Sequence, residues 1–87
     1  MSYEILIQPT AVRDLRKLPR EVRKRIGRKL DELANEPRPA DAKLLKGNEG
    51  FSRVRVGDYR IVYTIREKIL VVLVVRIGHR KDIYRNL

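Results

Sequence analysis

Arg53-Val54-Arg55-Val56-Gly57-Asp58-Tyr59-Arg60-Ile61 is the stretch that decides the fold. Arginine alternates with valine up to a Gly-Asp pair, and a polar–apolar alternation resumes beyond it. Alternation of this kind marks a β-strand, and Gly-Asp between two such runs marks a tight hairpin with a two-residue loop. That loop length sets Arg55 across from Arg60, with Arg53 one step further along the same face. Val54, Val56, Tyr59, Ile61 and Tyr63 share the other face and are expected to pack beneath helices, Tyr59 and Tyr63 as core residues. Val62 and Thr64 lie beyond the arginines on their side. Like charges facing each other across a sheet are destabilising. Three guanidinium groups gathered on one face therefore point to a polyanion, and phosphodiester oxygens match the bidentate guanidinium fork. Ordinary solvated charge is the plainer reading, but it calls for neighbouring acids, and Asp58 is the only one close by.

Working outward, Ile69 to Arg76 is apolar at nearly every position and reads as a third strand, central and covered on both faces. A short turn at Glu67-Lys68 joins it to Tyr59–Arg66, and the first strand of the hairpin spans Phe51–Val56. Upstream, Tyr3 to Gln8 is a short strand. Pro9 and Thr10 supply a helix start, Pro in the first turn and Thr as the cap, and Ala11, Leu15 and Leu18 recur at helical spacing. Pro19 begins a second helix whose apolar stripe is Val22, Ile26, Leu30, Leu33 and Ala34, ended by Asn35-Glu-Pro37-Arg-Pro39. Gly27, in its middle, is expected to permit close packing. Arg20, Arg23, Lys24 and Arg28 line its outer face and, interspersed with Glu21, Asp31 and Glu32, read as a solvated helix surface. Leu44 and Leu45 anchor the connection that follows, and Gly47 and Gly50 mark turns. The order β-α-α-β-β-β makes an α+β fold, a helical pair on one face of a small, mainly antiparallel sheet.

The 87 residues make a single domain, 1–87, with one modest core. A net charge of +10 beside 43% hydrophobic residues describes a basic globule rather than a disordered tail. Residues 1–50 hold 12 basic and 8 acidic side chains and residues 51–87 hold 9 and 3, so the shorter half is the more basic. Such a surplus attracts nucleic acid, acidic protein or anionic membrane alike. With no cysteine and one histidine, neither a disulfide framework nor a thiolate or imidazole metal site is expected, and no cofactor. The N-terminus lacks the pattern of a signal peptide, and the longest apolar run, Ile69 to Val75, is too short to span a bilayer. A soluble cytoplasmic protein is the expectation.

The chain closes with Gly78-His79-Arg80-Lys81-Asp82-Ile83-Tyr84-Arg85, read as a turn or short helix at the sheet edge. Arg80 and Tyr84, four apart, would share one face of a helical turn, which could lie beside the arginine hairpin. His79 is suited by its pKa range to general acid or base work, and equally to a surface or capping role. Tyr84 could equally anchor the tail.

These segments taken together resemble the RelE/ParE superfamily of toxins, RelE-type members in particular. The resemblance rests on Leu15-Arg-Lys-Leu18-Pro19, Lys43-Leu44-Leu45-Lys46-Gly47, the hairpin through Tyr63, and Gly78-His79-Arg80-Lys81-Asp82-Ile83-Tyr84, all in order. It implies an endoribonuclease that cuts mRNA in the ribosomal A site without a metal, by attack of a 2′-hydroxyl on the adjacent phosphodiester. It also implies an acidic, partly helical antitoxin as partner. Carried over by position, Arg53, Arg55 and Arg60 match the family's basic strand positions, Arg80 the arginine after the last strand, and Tyr84 the C-terminal tyrosine. Lys81 joins Arg53, Arg55 and Arg60 as a candidate phosphate contact. Some family members carry lysines where this chain has arginines. Arginine stays protonated, so Arg55 would stabilise charge, and proton abstraction would fall to Tyr84 or His79. A ParE-like gyrase poison and a non-catalytic RNA-binding module are the alternatives, and the shared fold does not separate them.

Overall fold

A computed structural model describes residues 2–45, 47 and 50–82 of the chain. The elements run β1 (Glu4–Ile7), α1 (Pro9–Arg16), α2 (Arg20–Asn35), β2 (Lys43–Leu44), β3 (Phe51–Val56), β4 (Tyr59–Arg66), a 3-10 turn (Glu67–Ile69) and β5 (Val71–His79). The five strands form one sheet in the order β1-β5-β4-β3-β2. The β3-β4-β5 meander is antiparallel, as expected, and returns β5 to lie parallel to β1.

Both helices cover one face of this sheet. Ala11, Ile26, Leu30 and Leu33 pack on Val54, Val56, Ile61, Tyr63, Val72, Val74 and Ile77 to form the main core. On the other face a smaller apolar cluster of Val62 and Val75, with Leu45, Phe51 and Leu73 against it, covers part of the sheet. β5 is thus flanked by β1 and β4 and apolar on both sides.

Several local readings differ from the structure. Gln8, not Thr10, is the N-cap of α1, without a side-chain cap; Pro9 takes the first helical position, where its missing N–H costs nothing. The helix stops at Arg16 rather than Leu18, and the N–H groups of Lys17 and Leu18 close its last turn onto the carbonyls of Asp14 and Leu15. A fifth strand, β2, was not foreseen: two residues are too few to show an alternation, and Lys43 and Leu44 pair with Arg53 and Ser52 along the open edge of β3. Leu45 anchors that segment as expected, whereas Leu44 is 77% exposed. Gly27 serves no close packing, because a Cβ there would meet nothing within 4 Å.

The ends of the elements are tied by polar contacts. The Tyr63 hydroxyl donates to the Pro37 carbonyl at 2.7 Å in the core, anchoring the segment after α2. At the β4–β5 turn the Glu67 carboxylate accepts from the Tyr3 hydroxyl at 2.8 Å and pairs with Arg38. The Tyr3 hydrogen bond first, and Arg38 second, hold the Glu67 carboxyl below its ordinary pKa.

Gly27→Ala should therefore raise stability by about 0.5–1 kcal/mol, because it removes a helix penalty and fills empty space. Gly57→Ala should lower it, since φ is +61° and the new Cβ would stand 2.9 Å from Arg25 Nη2. Urea midpoints at unchanged slope test both. Because Glu67 is depressed in the folded state, its contribution is present above the unfolded carboxylate pKa and fades as pH falls through the folded value. Glu67→Gln should be destabilised at neutral pH and converge on the parent in acid.

Candidate active site

Cross-strand register places Arg55 directly opposite Arg60, and Arg53 opposite Val62, on the sheet face away from the helices. Arg60 is flanked on its other side by Gly78 of β5, which has no side chain to set against it. Arg55 is exposed, while Arg53 and Arg60 are half-buried. Arg60 Nη1 is buried and has no hydrogen-bond partner. Among the described residues, none of Arg53, Arg55, Arg60 and Arg80 forms an ion pair; the pairs that form join Asp14 to Arg76, Glu32 and Asp41 to Lys29, and Glu67 to Arg38. Asp58, the one acid near in sequence, is exposed at the hairpin tip and does not neutralise them. Buried donors are ordinarily satisfied. Arg60 is thus a cation beside Arg55 with no acid paired to it among the described residues.

Arg80 joins this site through the backbone. Its N–H donates to the Asp58 carbonyl at 2.9 Å, which brings its Cα to the hairpin tip, two residues beyond Gly78. Arg80, Lys81 and Asp82 form a turn, and β5 itself runs on to His79. Tyr84 and the helical turn expected for it lie outside the described residues.

His79 does not join the arginines. It pairs with Tyr59, so its ring is on the helix-covered face, where the two rings meet edge to face at 5.6 Å. Simple alternation from Val72 and Val74, both in the core, would have put His79 on the arginine side. A β-bulge prevents this: Tyr63 pairs with Val74 and Val62 with Arg76, leaving Val75 as an extra residue. Ile77 thereby returns to the core and His79 follows it. The Lys81 N–H donates to His79 Nδ1 at 3.2 Å, leaving the proton of the neutral ring on Nε2. His79 instead lines a helix-side cleft of about 250 Å³ with Asp14, Lys17 and Leu18.

Two contributors escaped sequence reasoning. Asp14, on α1, accepts from Arg76 Nε at 2.8 Å and from the Ile77 N–H at 3.0 Å. β1 pairs only with Val71–Val74, and this carboxylate takes up the β5 amide just beyond its end. It fixes the strand segment that carries Gly78 and leads to Arg80. Arg25, on α2, lays its guanidinium against Gly57 and adds a cation at the hairpin tip. Neither role has a sequence signal, because both depend on how the helices lie over the sheet. Tyr63 is no proton-transfer group, since burial pushes its pKa up to about 12.

Known proteins are similar to this chain in sequence and fold. A profile for the family described as ParE toxin of type II toxin-antitoxin system, parDE, matches residues 5–84. Toxin RelG of Mycobacterium tuberculosis is 34% identical over 87 residues, 99% of this chain and 100% of that protein. The mRNA interferase toxin RelE of Escherichia coli is 30% identical, covering 93% of this chain and 86% of that one. Among solved structures, the archaeal RelE-RelB complex from Pyrococcus horikoshii aligns with a TM-score of 0.80 at 30% identity, over 94% of this chain and 99% of that one.

An unpaired cation cluster weakens the fold that carries it. Arg60→Met, which removes the orphaned donor and the repulsion from Arg55, should stabilise the chain by about 1 kcal/mol in thermal or urea unfolding. Asp14→Ala should do the opposite, by about 2–3 kcal/mol, because it strands both the Arg76 guanidinium and the Ile77 amide.

Proposed function

Since this chain belongs to the ParE toxin family of type II toxin–antitoxin systems, within the RelE/ParE superfamily, we propose that its open sheet face cleaves mRNA and that it inhibits translation by doing so. The observation that carries this reading is Arg60, half-buried, facing Arg55, with Nη1 unpartnered. A scissile phosphate seated there would receive the hydrogen bonds this donor lacks. The names of the relatives support it: the E. coli protein is called an mRNA interferase toxin. The antitoxin partner is proposed by analogy with the RelE-RelB complex.

The chemistry is transesterification. The ribose 2′-oxygen bonds to phosphorus, the bond from phosphorus to the 5′-oxygen breaks, and a 2′,3′-cyclic phosphate and a 5′-hydroxyl result. One proton leaves the 2′-hydroxyl and one reaches the 5′-oxygen. Arg55 and Arg60 stabilise the negative charge that grows on the phosphoryl oxygens. Arg53 and Lys81 hold the flanking backbone, and Arg80 closes on the site from the hairpin tip. Arginine cannot take the 2′-proton, and His79 faces the helices, so we assign proton transfer to Tyr84. Positioning of the message by the ribosome supplies the alignment that a small open site lacks. An enzyme of translating ribosomes works in the cytoplasm, and no helix among the described residues is long and apolar enough to cross a membrane.

The family's ParE name favours one other reading, a DNA gyrase poison without nuclease activity. Primer extension on translated and untranslated message separates the two. Cuts within codons on translated message only are expected, and intact message together with inhibited gyrase would establish the alternative. Arg60→Ala or Arg80→Ala should lower cleavage by about 10²–10³, the scale of losing one transition-state donor. His79→Gln should leave cleavage near the parent rate.

A further inference from the structure

Asp14 stands on the inward face of α1, one helical turn beyond Ala11, which is wholly buried in the core. Its carboxylate accepts from the Ile77 N–H at 3.0 Å and from Arg76 Nε at 2.8 Å, and both side chains of this ion pair are largely buried. Stability alone is a poor reason for such a pair, because apolar side chains in its place are often as good or better. What the carboxylate adds is geometry. It holds one backbone amide and one guanidinium at fixed points.

The strand it grips depends on that hold. On the β1 side, backbone bonding to β5 ends where the Gln8 N–H donates to the Val74 carbonyl. The ladder with β4 is then interrupted by the Val75 bulge. Arg76 to His79 thus resume pairing after a bulge, with β4 along one edge and the Asp14 carboxylate on the other. This stretch delivers Arg80, three residues beyond the Ile77 amide, to its bond with the Asp58 carbonyl at 2.9 Å. Strand ends held along one edge are among the first segments of a protein to open.

We propose that Asp14 is a positioning residue for phosphodiester cleavage, acting through the end of β5 to hold Arg80 where the transition state needs it. Asp14 itself touches no substrate. The role rests on the proposed function for its chemistry, and on the contacts of α1 with β5 for its mechanics. A misplacement of about 1 Å in a catalytic group can cost about 10²-fold in rate, so a carboxylate on the far side of the sheet can govern the reaction.

A double-mutant cycle on the full chain tests the chemistry, with translated message as substrate and rates referred to the folded fraction. Asp14→Ala should lower kcat by about 10–100-fold and leave KM within about twofold. Asp14→Asn keeps an acceptor for the Ile77 amide and should recover most of that loss. In an Arg80→Ala background Asp14→Ala should cost nothing further, because the group it positions is gone. Losses that multiply in that background, or a change confined to KM, would overturn the proposal. Amide hydrogen exchange followed by nuclear magnetic resonance tests the mechanics without cleavage. In Asp14→Ala the Arg80 amide should exchange at least about tenfold faster through local opening. Lost stability alone would speed the core amides of β5 and leave Arg80 unchanged, which would also overturn the proposal. A parent chain that cuts no message, with Arg80 exchange still dependent on Asp14, would refute the nuclease reading and keep the mechanical link. Cleavage by the parent with multiplying losses would refute the positioning role and keep the nuclease reading.

Discussion

The two-residue loop at Gly57-Asp58 is the constraint on which the rest depends. It sets the pairing register of β3 against β4, and with it which side chains are buried. In the observed register Val54, Val56, Ile61 and Tyr63 enter the core while Arg53, Arg55 and Arg60 stay on the other face. A slip of one residue would exchange the two sets and drive guanidinium groups into the apolar layer beneath α1 and α2. Unpaired buried charge is among the costliest errors a core can contain. Burial of the apolar face therefore fixes the position of the basic one: the arginines are held in place by the valines between them.

What that register brings together is unfavourable by itself. Arg55 faces Arg60, Arg60 keeps a buried donor without an acceptor, and no described acid neutralises either. The acids in ion pairs among the described residues serve architecture. Asp14 ties α1 to β5, Asp41 ties the segment after α2 to Lys29, and Glu67 joins Tyr3 and Arg38 at the far turn. Negative charge holds the scaffold together, and uncompensated positive charge is left on the sheet face. The family to which the chain belongs gives that separation its sense. On the proposed function, a polyanion bound there would relieve the repulsion and stabilise the fold.

The hairpin, both helices, the β5 core strand and the shared face of Arg53, Arg55 and Arg60 were all legible in the sequence, because each follows from a hydrophobic period or a turn residue close along the chain. The misplaced features depend on distant partners. The sequence offers His79 as an acid or base or equally as a surface residue, and the Val75 bulge, which turns it toward Tyr59, has no local mark: Val-Val-Leu-Val-Val reads the same with or without an extra residue. β2 exists only because the edge of β3 offers it hydrogen bonds. Gly27 looked like a packing glycine and meets open space. Arg25 and Asp14 sit among other charged residues in the sequence and gain their roles from the geometry between helix and sheet.

Asp14 has one more consequence, for the behaviour of many copies together. Beyond Val74, β5 has no strand beside it on the β1 side among the described residues, and the Ile77 amide points into that gap. A bare strand edge is a template on which another chain can add a strand and begin an aggregate. Here the Asp14 carboxylate already holds the amide, and the Arg76 guanidinium stands next to it. An approaching strand would meet a closed ion pair where it needs a free donor. The same carboxylate that anchors α1 thus also blocks a bare stretch of strand edge.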